Sequence, residues 1–305
     1  MNKVRAAIFQ NFSVIFISII LEAMPFVLLG ALISAFIQVF ISENTIARLL
    51  PKNKFLGIVV AALSGFIFPV CECAVIPIAR RLIKKGVPVN MAVAFMLSVP
   101  IVNPIVLLST YYAFHGMPYM VLIRGVGGFT IAIAIGSVMG IKGQNNNILK
   151  ASYLDYENLC ACGYNHSYKK QSSKFMEILH HTNIELYDIG KLLILGAFIS
   201  AAFQTLVSRE QILHLGQHPI YSIAAMMSFA FLISLCSEAD AFIANTFVGQ
   251  FSVGSIAAFL LLGPMIDIKN TLMLGSSFKK SFIIKLMFFI FVFCFAAGYL
   301  INAVI

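Results

Sequence analysis

Two cysteines and a glutamate stand together in the run Phe68-Pro69-Val70-Cys71-Glu72-Cys73-Ala74-Val75-Ile76-Pro77. Thiolates are soft ligands, suited to Cu(I), Zn(II) and, by the same chemistry, trivalent arsenic species. A carboxyl beside them could bind a cation or carry the proton that couples transport. A helical Cys-x-Cys would splay its sulfurs by about 200°. The prolines therefore matter: they remove donors, break the helix, and let irregular backbone turn both sulfurs inward. The surrounding stretch is otherwise apolar from Phe55 to Ala79 apart from Ser64. Lipid-buried backbone has to close its own hydrogen bonds, so this patch is expected to line a protein-walled or wet cavity. Ionisable groups at such depth are costly and mark function.

The elements that position the patch follow from composition. The chain has 305 residues, 60% apolar and 11% charged, with a mean hydropathy of +0.93. That excludes a soluble globular protein and indicates an all-α polytopic integral membrane protein. Eight apolar stretches are candidates for spans: Phe12 to Ile41, Phe55 to Ala79, Val87 to Tyr112, Met117 to Ile141, Ile189 to Val207, Ile220 to Val248, Gly254 to Leu274 and Phe282 to Ile305. The first has no small-residue cleavage site and reads as a span, not a signal peptide. Its Glu22 reads either as a cavity-facing group or as an interface residue.

Between residues 142 and 188 the composition turns polar. This segment separates a first membrane part (1–141) from a second (189–305). The net charge of +9 lies in short loops beside apolar runs, which fits positive-inside topology rather than nucleic-acid binding. Lys3, Arg5, the Arg80, Arg81, Lys84, Lys85 cluster and the central loop then lie on the cytoplasmic side of the cell membrane, with both termini. Arg124, in the fourth span, is expected to snorkel to the outer interface.

The two membrane parts resemble each other. Gly30-Ala31-Leu32-Ile33-Ser34-Ala35-Phe36-Ile37-Gln38 matches Gly196-Ala197-Phe198-Ile199-Ser200-Ala201-Ala202-Phe203-Gln204 at six of nine positions. In that register Glu72 falls on Glu238 and Cys71 on Ser237, next to Cys236 and Asp240. Two residues out of register, Val99-Pro100-Ile101-Val102-Asn103-Pro104 answers to Gly263-Pro264-Met265-Ile266-Asp267-Ile268, pairing Asn103 with Asp267. Pro100 and Pro104 should interrupt the third span and free carbonyls near the midplane. Duplicated halves with broken or re-entrant polar segments in matching places are the mark of a secondary-transporter site. Four spans per half would make the repeats parallel, whereas re-entrant hairpins would make them inverted. Cys71, Glu72, Cys73, Pro100, Asn103, Cys236, Ser237, Glu238, Asp240 and Asp267 are the candidate substrate-binding set. Asp267 and Lys269 could instead simply neutralise each other.

A second cluster lies in the polar segment: Cys160, Cys162 and His166, followed by His180 and His181. Cysteine and histidine in one turn-rich stretch could hold a soft metal ion, the one cofactor the sequence suggests. Cys294, alone among Phe and Ala, reads as a small hydrophobe.

The Cys71-Glu72-Cys73 run, Ser98-Val99-Pro100-Ile101-Val102-Asn103-Pro104, and Asp188-Ile189-Gly190-Lys191 leading into Gly196-Ala197 resemble the predicted-permease family that includes the organoarsenical efflux permease ArsP and YraQ. For the ArsP-like members the resemblance implies export of trivalent organoarsenicals through membrane-embedded cysteines. For the family at large it implies a permease. Here the second half offers Cys236-Ser237-Glu238 rather than a second cysteine pair.

No Walker-type phosphate loop, dinucleotide fingerprint or nucleophile elbow occurs in the chain, so it is not expected to be an enzyme and ATP would have to come from another chain. Three readings remain. One is a permease moving a soft metal, metalloid or thiol-reactive molecule. The second is a membrane thiol oxidoreductase relaying electrons from Cys71 and Cys73 to Cys160 and Cys162. The third is a membrane subunit of a larger complex, with a partner subunit or a second copy.

Overall fold

The computed structural model describes residues 2–40, 51, 53–67, 70–141, 148–149, 174–206 and 219–304. It is an all-α polytopic membrane protein; among the described residues the only β-pairings are isolated bridges. Among the described residues six helical spans are long and apolar enough to cross a bilayer: Phe9–Ile37, Val89–Ala113, Tyr119–Gly140, Ile178–Leu206, Val253–Ser277 and Lys280–Val304. The other two apolar stretches, the second and the sixth in the chain, are each broken into shorter pieces. They are the two that carry Glu72 and Glu238.

Helix α1 (Asn2–Phe40) runs through Pro25 without interruption. Helix α2 (Lys54–Leu63) is capped by the Asn53 side chain and tightens into a 3-10 turn at Ser64–Phe66. Val70 and Cys71 lie outside helical geometry, and Cys71, extended at φ −78° and ψ 170°, starts α3 (Glu72–Lys84). Next come α4 (Val89–Val102) and α5 (Pro104–Ala113). Helices α6 (Tyr119–Leu122) and α7 (Gly128–Ile141) are joined by a π-helical turn, Ile123–Gly127. Beyond the central segment, α8 (Lys174–Leu206) and α9 (Pro219–Ile233) lead to a second break. Helices α10 (Asp240–Asn245), α11 (Val253–Met265), α12 (Ile268–Ser277) and α13 (Lys280–Val304) complete the chain.

Burial explains the arrangement. Helices α4 and α11 are apolar all round and buried all round, so they occupy the centre and pack on each other. Helix α13 buries a single stripe, Phe282, Ile283, Leu286, Ile290, Cys294 and Gly298, and turns Ile284, Phe288 and Val292 outward. Cys294 is a core packer, with its Sγ 3.9 Å from Met265 Sδ. Helices α1 and α8 lie side by side, α1 also covering α3 and α8 covering α12. Small residues permit those crossings. A Cβ on Gly30 would fall 2.7 Å from the Ala74 Cα, and one on Gly196 would fall 2.9 Å from the Lys269 Cα.

Proline positions turn out to matter less than their neighbours. Helix α4 continues through Pro100 and ends only at Asn103, whose Oδ1 accepts from Ile105 N at 3.0 Å while Pro104 takes the first position of α5. The interruption expected across both prolines is confined to one residue. At the corresponding place, three residues after Pro264, Asp267 Oδ1 accepts from Asn270 N at 2.6 Å and starts α12. Asn and Asp are preferred caps because a short side-chain acceptor reaches the unpaired amides of a new helix. At the other break Gln204, the last residue of the matched Gly-Ala stretch, donates to the Ile233 carbonyl at 2.8 Å. A side chain thus satisfies a backbone group that lipid could not.

Charges depart most from expectation. Arg124 does not snorkel: it is fully buried within the π turn. Its guanidinium donates to both carboxylate oxygens of Asp240 at 2.8 Å, to Thr110 Oγ1 at 2.9 Å and to the Ser237 carbonyl at 2.8 Å. Arg80 and Arg81 are buried too, rather than ending a span in solvent. Ile148, near the start of the polar segment, accepts from Lys279 N at 2.9 Å through its carbonyl.

Two stability measurements test these contacts in the detergent-purified protein. Gly30→Leu forces α1 off α3 and should cost about 1–3 kcal/mol, while Gly190→Ala, which meets nothing within 4 Å, should be neutral or gain up to about 1 kcal/mol. Equal thermal midpoints for the two variants would contradict the close α1–α3 crossing. Asp240→Asn strands a buried guanidinium and should cost about 3–5 kcal/mol, most of it recovered in the apolar pair Arg124→Met with Asp240→Leu. If the double variant is no more stable than the single, the pair is not the ion-pair unit seen here.

Candidate substrate pocket

The two breaks face each other. Ser237 Oγ, in the second, donates to Glu72 Oε2 at 3.2 Å, in the first. Cys71 lies just outside α3 and Glu72 in its first turn, where the exposed amides of a helix start favour negative charge. Cys71, Glu72 and Cys73 are all buried, and both cysteines are free thiols. Cys73 Sγ is 3.9 Å from Asn270 Oδ1 on α12. The second break begins at Ser234, whose φ of +51° lies in the left-handed region that a non-glycine residue enters at a cost. That turn brings Cys236 to the same place, with its Sγ 4.0 Å from Glu238 Oε2.

A narrow crevice of about 10 Å³, room for about one water, lies between these segments and α1. Ile19, Glu22, Ala23 and Phe26 of α1, Cys71, Glu72 and Cys73 of the first break, Cys236 of the second and Lys269 of α12 line it. Three thiols, two carboxylates and one ammonium therefore converge from both ends of the sequence. Glu22 contributes to this lining while its side chain is exposed. Among the described residues no three His, Cys, Asp or Glu side chains are set to hold a metal ion. The thiols share a wall without forming a ready-made ligand shell.

Other expected site residues sit around this pocket rather than on it. Ser237 reaches it through Glu72, and half-buried Glu238 through Cys236. Asp240 is taken up by Arg124. Asn103 and Asp267 are helix caps, and Pro100 belongs to the last turn of α4. Asp267 Oδ2 stands 3.8 Å from Lys269 Nζ, both side chains being buried, so the neutralising pair does form. Cys160, Cys162 and His166 lie outside the described residues. His180 and His181 are on α8, where His180 is exposed.

Sequence reasoning missed the role of Arg124 and the place of Lys269. A signal was present: Arg124 and Asp240 are isolated opposite charges in apolar stretches, and each needs a partner there.

Comparison with known proteins identifies the family. The predicted-permease family, ArsP_1, matches residues 8–303. The UPF0718 protein YcgR of Bacillus subtilis (strain 168) is 44% identical over 294 residues, covering 96% of this chain and 98% of its own. A Streptococcus mutans protein, provisionally named a two-component membrane permease complex subunit, is 40% identical over 302 residues, covering 97% and 98%. The UPF0718 protein YraQ of Escherichia coli (strain K12) is 27% identical over 111 residues, covering 36% of this chain and 29% of its own. No solved structure matches the chain. With residues 8–303 matched, this chain belongs to the predicted-permease family.

Proposed function

We propose that the protein is a permease that exports a soft metal, metalloid or thiol-reactive small molecule through the pocket between its two broken segments. One observation carries this reading: Cys236, remote in sequence, lines a single pocket with Cys71, Glu72 and Cys73. Soft sulfur donors select soft substrates. Binding at helix breaks, where backbone groups and side chains face a cavity, suits a species that must be released again. In this scheme the three thiols bind, while Glu72 with Ser237 and Glu238 adjusts local charge. Pro100, Asn103, Asp240 and Asp267 hold the breaks open.

The halves 1–141 and 189–305 are read as a duplication, in which each half runs from a long helix through a broken segment to a capped helix pair and a final span. The matched caps Asn103 and Asp267 support it. Residues 142–188 form the cytoplasmic segment, where Cys160, Cys162, His166, His180 and His181 would hold a soft ion that regulates export. The provisional name of the Streptococcus mutans relative favours a second reading in addition: the permease works with a partner subunit.

Cellular accumulation tests the proposal, because cells supply any partner. A deletion strain carrying the wild-type protein should accumulate less of at least one of Cd(II), Ag(I) and phenylarsenite than the empty strain. Cys71→Ser, Cys73→Ser and Glu72→Gln should each abolish most of that difference, and Cys294→Ser should leave it intact. Normal export by the Cys71 and Cys73 variants would sink the pocket assignment.

A further inference from the structure

Lys269 is the one cation among the described residues that line the pocket, and its surroundings are out of balance. Glu22 and Glu72 share the lining with it, Glu238 stands behind Cys236, and Asp267 approaches it to only 3.8 Å. Arg124 offsets none of these, since both of its terminal nitrogens are engaged by Asp240, Thr110 and the Ser237 carbonyl. Four carboxylates, of which Glu72 and Asp267 are buried, Glu238 half-buried and Glu22 exposed, thus surround a single buried ammonium, an arrangement that attracts positive charge.

The buried ammonium makes a long ion pair, while its backbone is held tightly. Gly196 of α8 packs so closely that a Cβ there would fall 2.9 Å from the Lys269 Cα and 3.2 Å from its Cγ. The helix start at Asp267 is fixed by the 2.6 Å cap to Asn270 N. The head group, by contrast, has a carboxylate at long ion-pair distance, and Asp267 Oδ2 accepts no hydrogen bond. A four-carbon stem anchored at its base can swing its charge without moving the helix.

We infer that Lys269 is the resident counter-cation of the pocket, and that the transported species is itself a cation which takes the place of the lysine ammonium beside Glu72 and the three thiols. The inference rests on the pocket assignment above and adds the charge class of the substrate. When the pocket is empty, Lys269 balances Glu72 and Asp267. When a thiol-seeking cation enters, the ammonium is repelled outward, and its return favours release. This accounts for the lack of a preassembled ligand shell among the described residues, because the ligands are gathered around a lysine and close on the substrate only after it leaves.

The experiment uses the purified full chain in lipid nanodiscs with Cd(II) as probe, binding being followed by the ultraviolet absorbance of cadmium thiolate. Lys269→Met removes the competitor and should bind Cd(II) about tenfold or more tightly, whereas Lys269→Arg should bind no more tightly than wild type. Unchanged or weaker binding by Lys269→Met overturns the inference. Amine labelling of the wild-type protein, read at Lys269 by mass spectrometry, involves no variant. Added Cd(II) should increase the labelling, and equal or reduced labelling overturns the inference. A neutral probe, phenylarsine oxide, that binds the thiols more tightly than Cd(II) and leaves Lys269 labelling unchanged would overturn the cationic class and leave the pocket standing. Undiminished Cd(II) binding by a Cys71→Ser, Cys73→Ser double variant would remove the pocket assignment itself.

Discussion

A guanidinium and a carboxylate buried in an apolar bundle are tolerable only together, and the Arg124–Asp240 pair is the constraint around which the second break is built. Breaking such a pair costs more than forming it returns, because a lone buried charge has no solvent to turn to. Arg124 uses its bonds to Asp240 to fix the start of α10, and one of the same two nitrogens also holds the Ser237 carbonyl. The Ser237 hydroxyl is then free to reach Glu72. A contact between the two ends of the sequence at the pocket therefore depends on a residue that does not line it. The π turn that carries Arg124 fits this role, since such turns displace one residue from the regular helical pattern and collect at functional places.

Much of this was legible in the sequence. Apolar stretches of about 20 residues set the spans, and the polar interruptions marked the breaks, because lipid leaves backbone groups nowhere else to go. Glu72 and Cys236 could be nominated from type and setting alone. What the sequence could not supply was partnership at long range. Hydropathy treats Arg124 as an isolated charge to be moved to an interface, when a carboxylate 116 positions away satisfies it. In the same way Pro100 looked like a breaker, yet α4 absorbs it near its end, where little helix remains to be lost. The break falls instead at Asn103, the residue able to cap the start of α5.

Asn103 and Asp267 also show how one polar residue serves two levels of organisation. Each closes a backbone requirement locally, and each stands where a long apolar helix gives way to a shorter one. They differ in charge, and only Asp267 has a lysine two residues on. The two ends of the sequence thus share a construction while differing at the pocket, where one contributes two thiols and the other contributes one thiol and an ammonium.

The paired helices α1 and α8 have a consequence for the membrane itself. Helix α1 presents a span of 29 residues, about 43 Å of helix against a hydrocarbon layer of about 30 Å, whereas α8 carries His180, His181, Glu185, Asp188 and Lys191 in its N-terminal part. Helix α1 must meet that excess by leaning or by thickening the lipid around it, at fractions of a kcal/mol per Å of mismatch. Helix α1 forms one wall of the pocket and α8 fixes the base of Lys269. A lean of α1 would carry that wall of the pocket with it, so bilayer thickness would bear on the pocket's width.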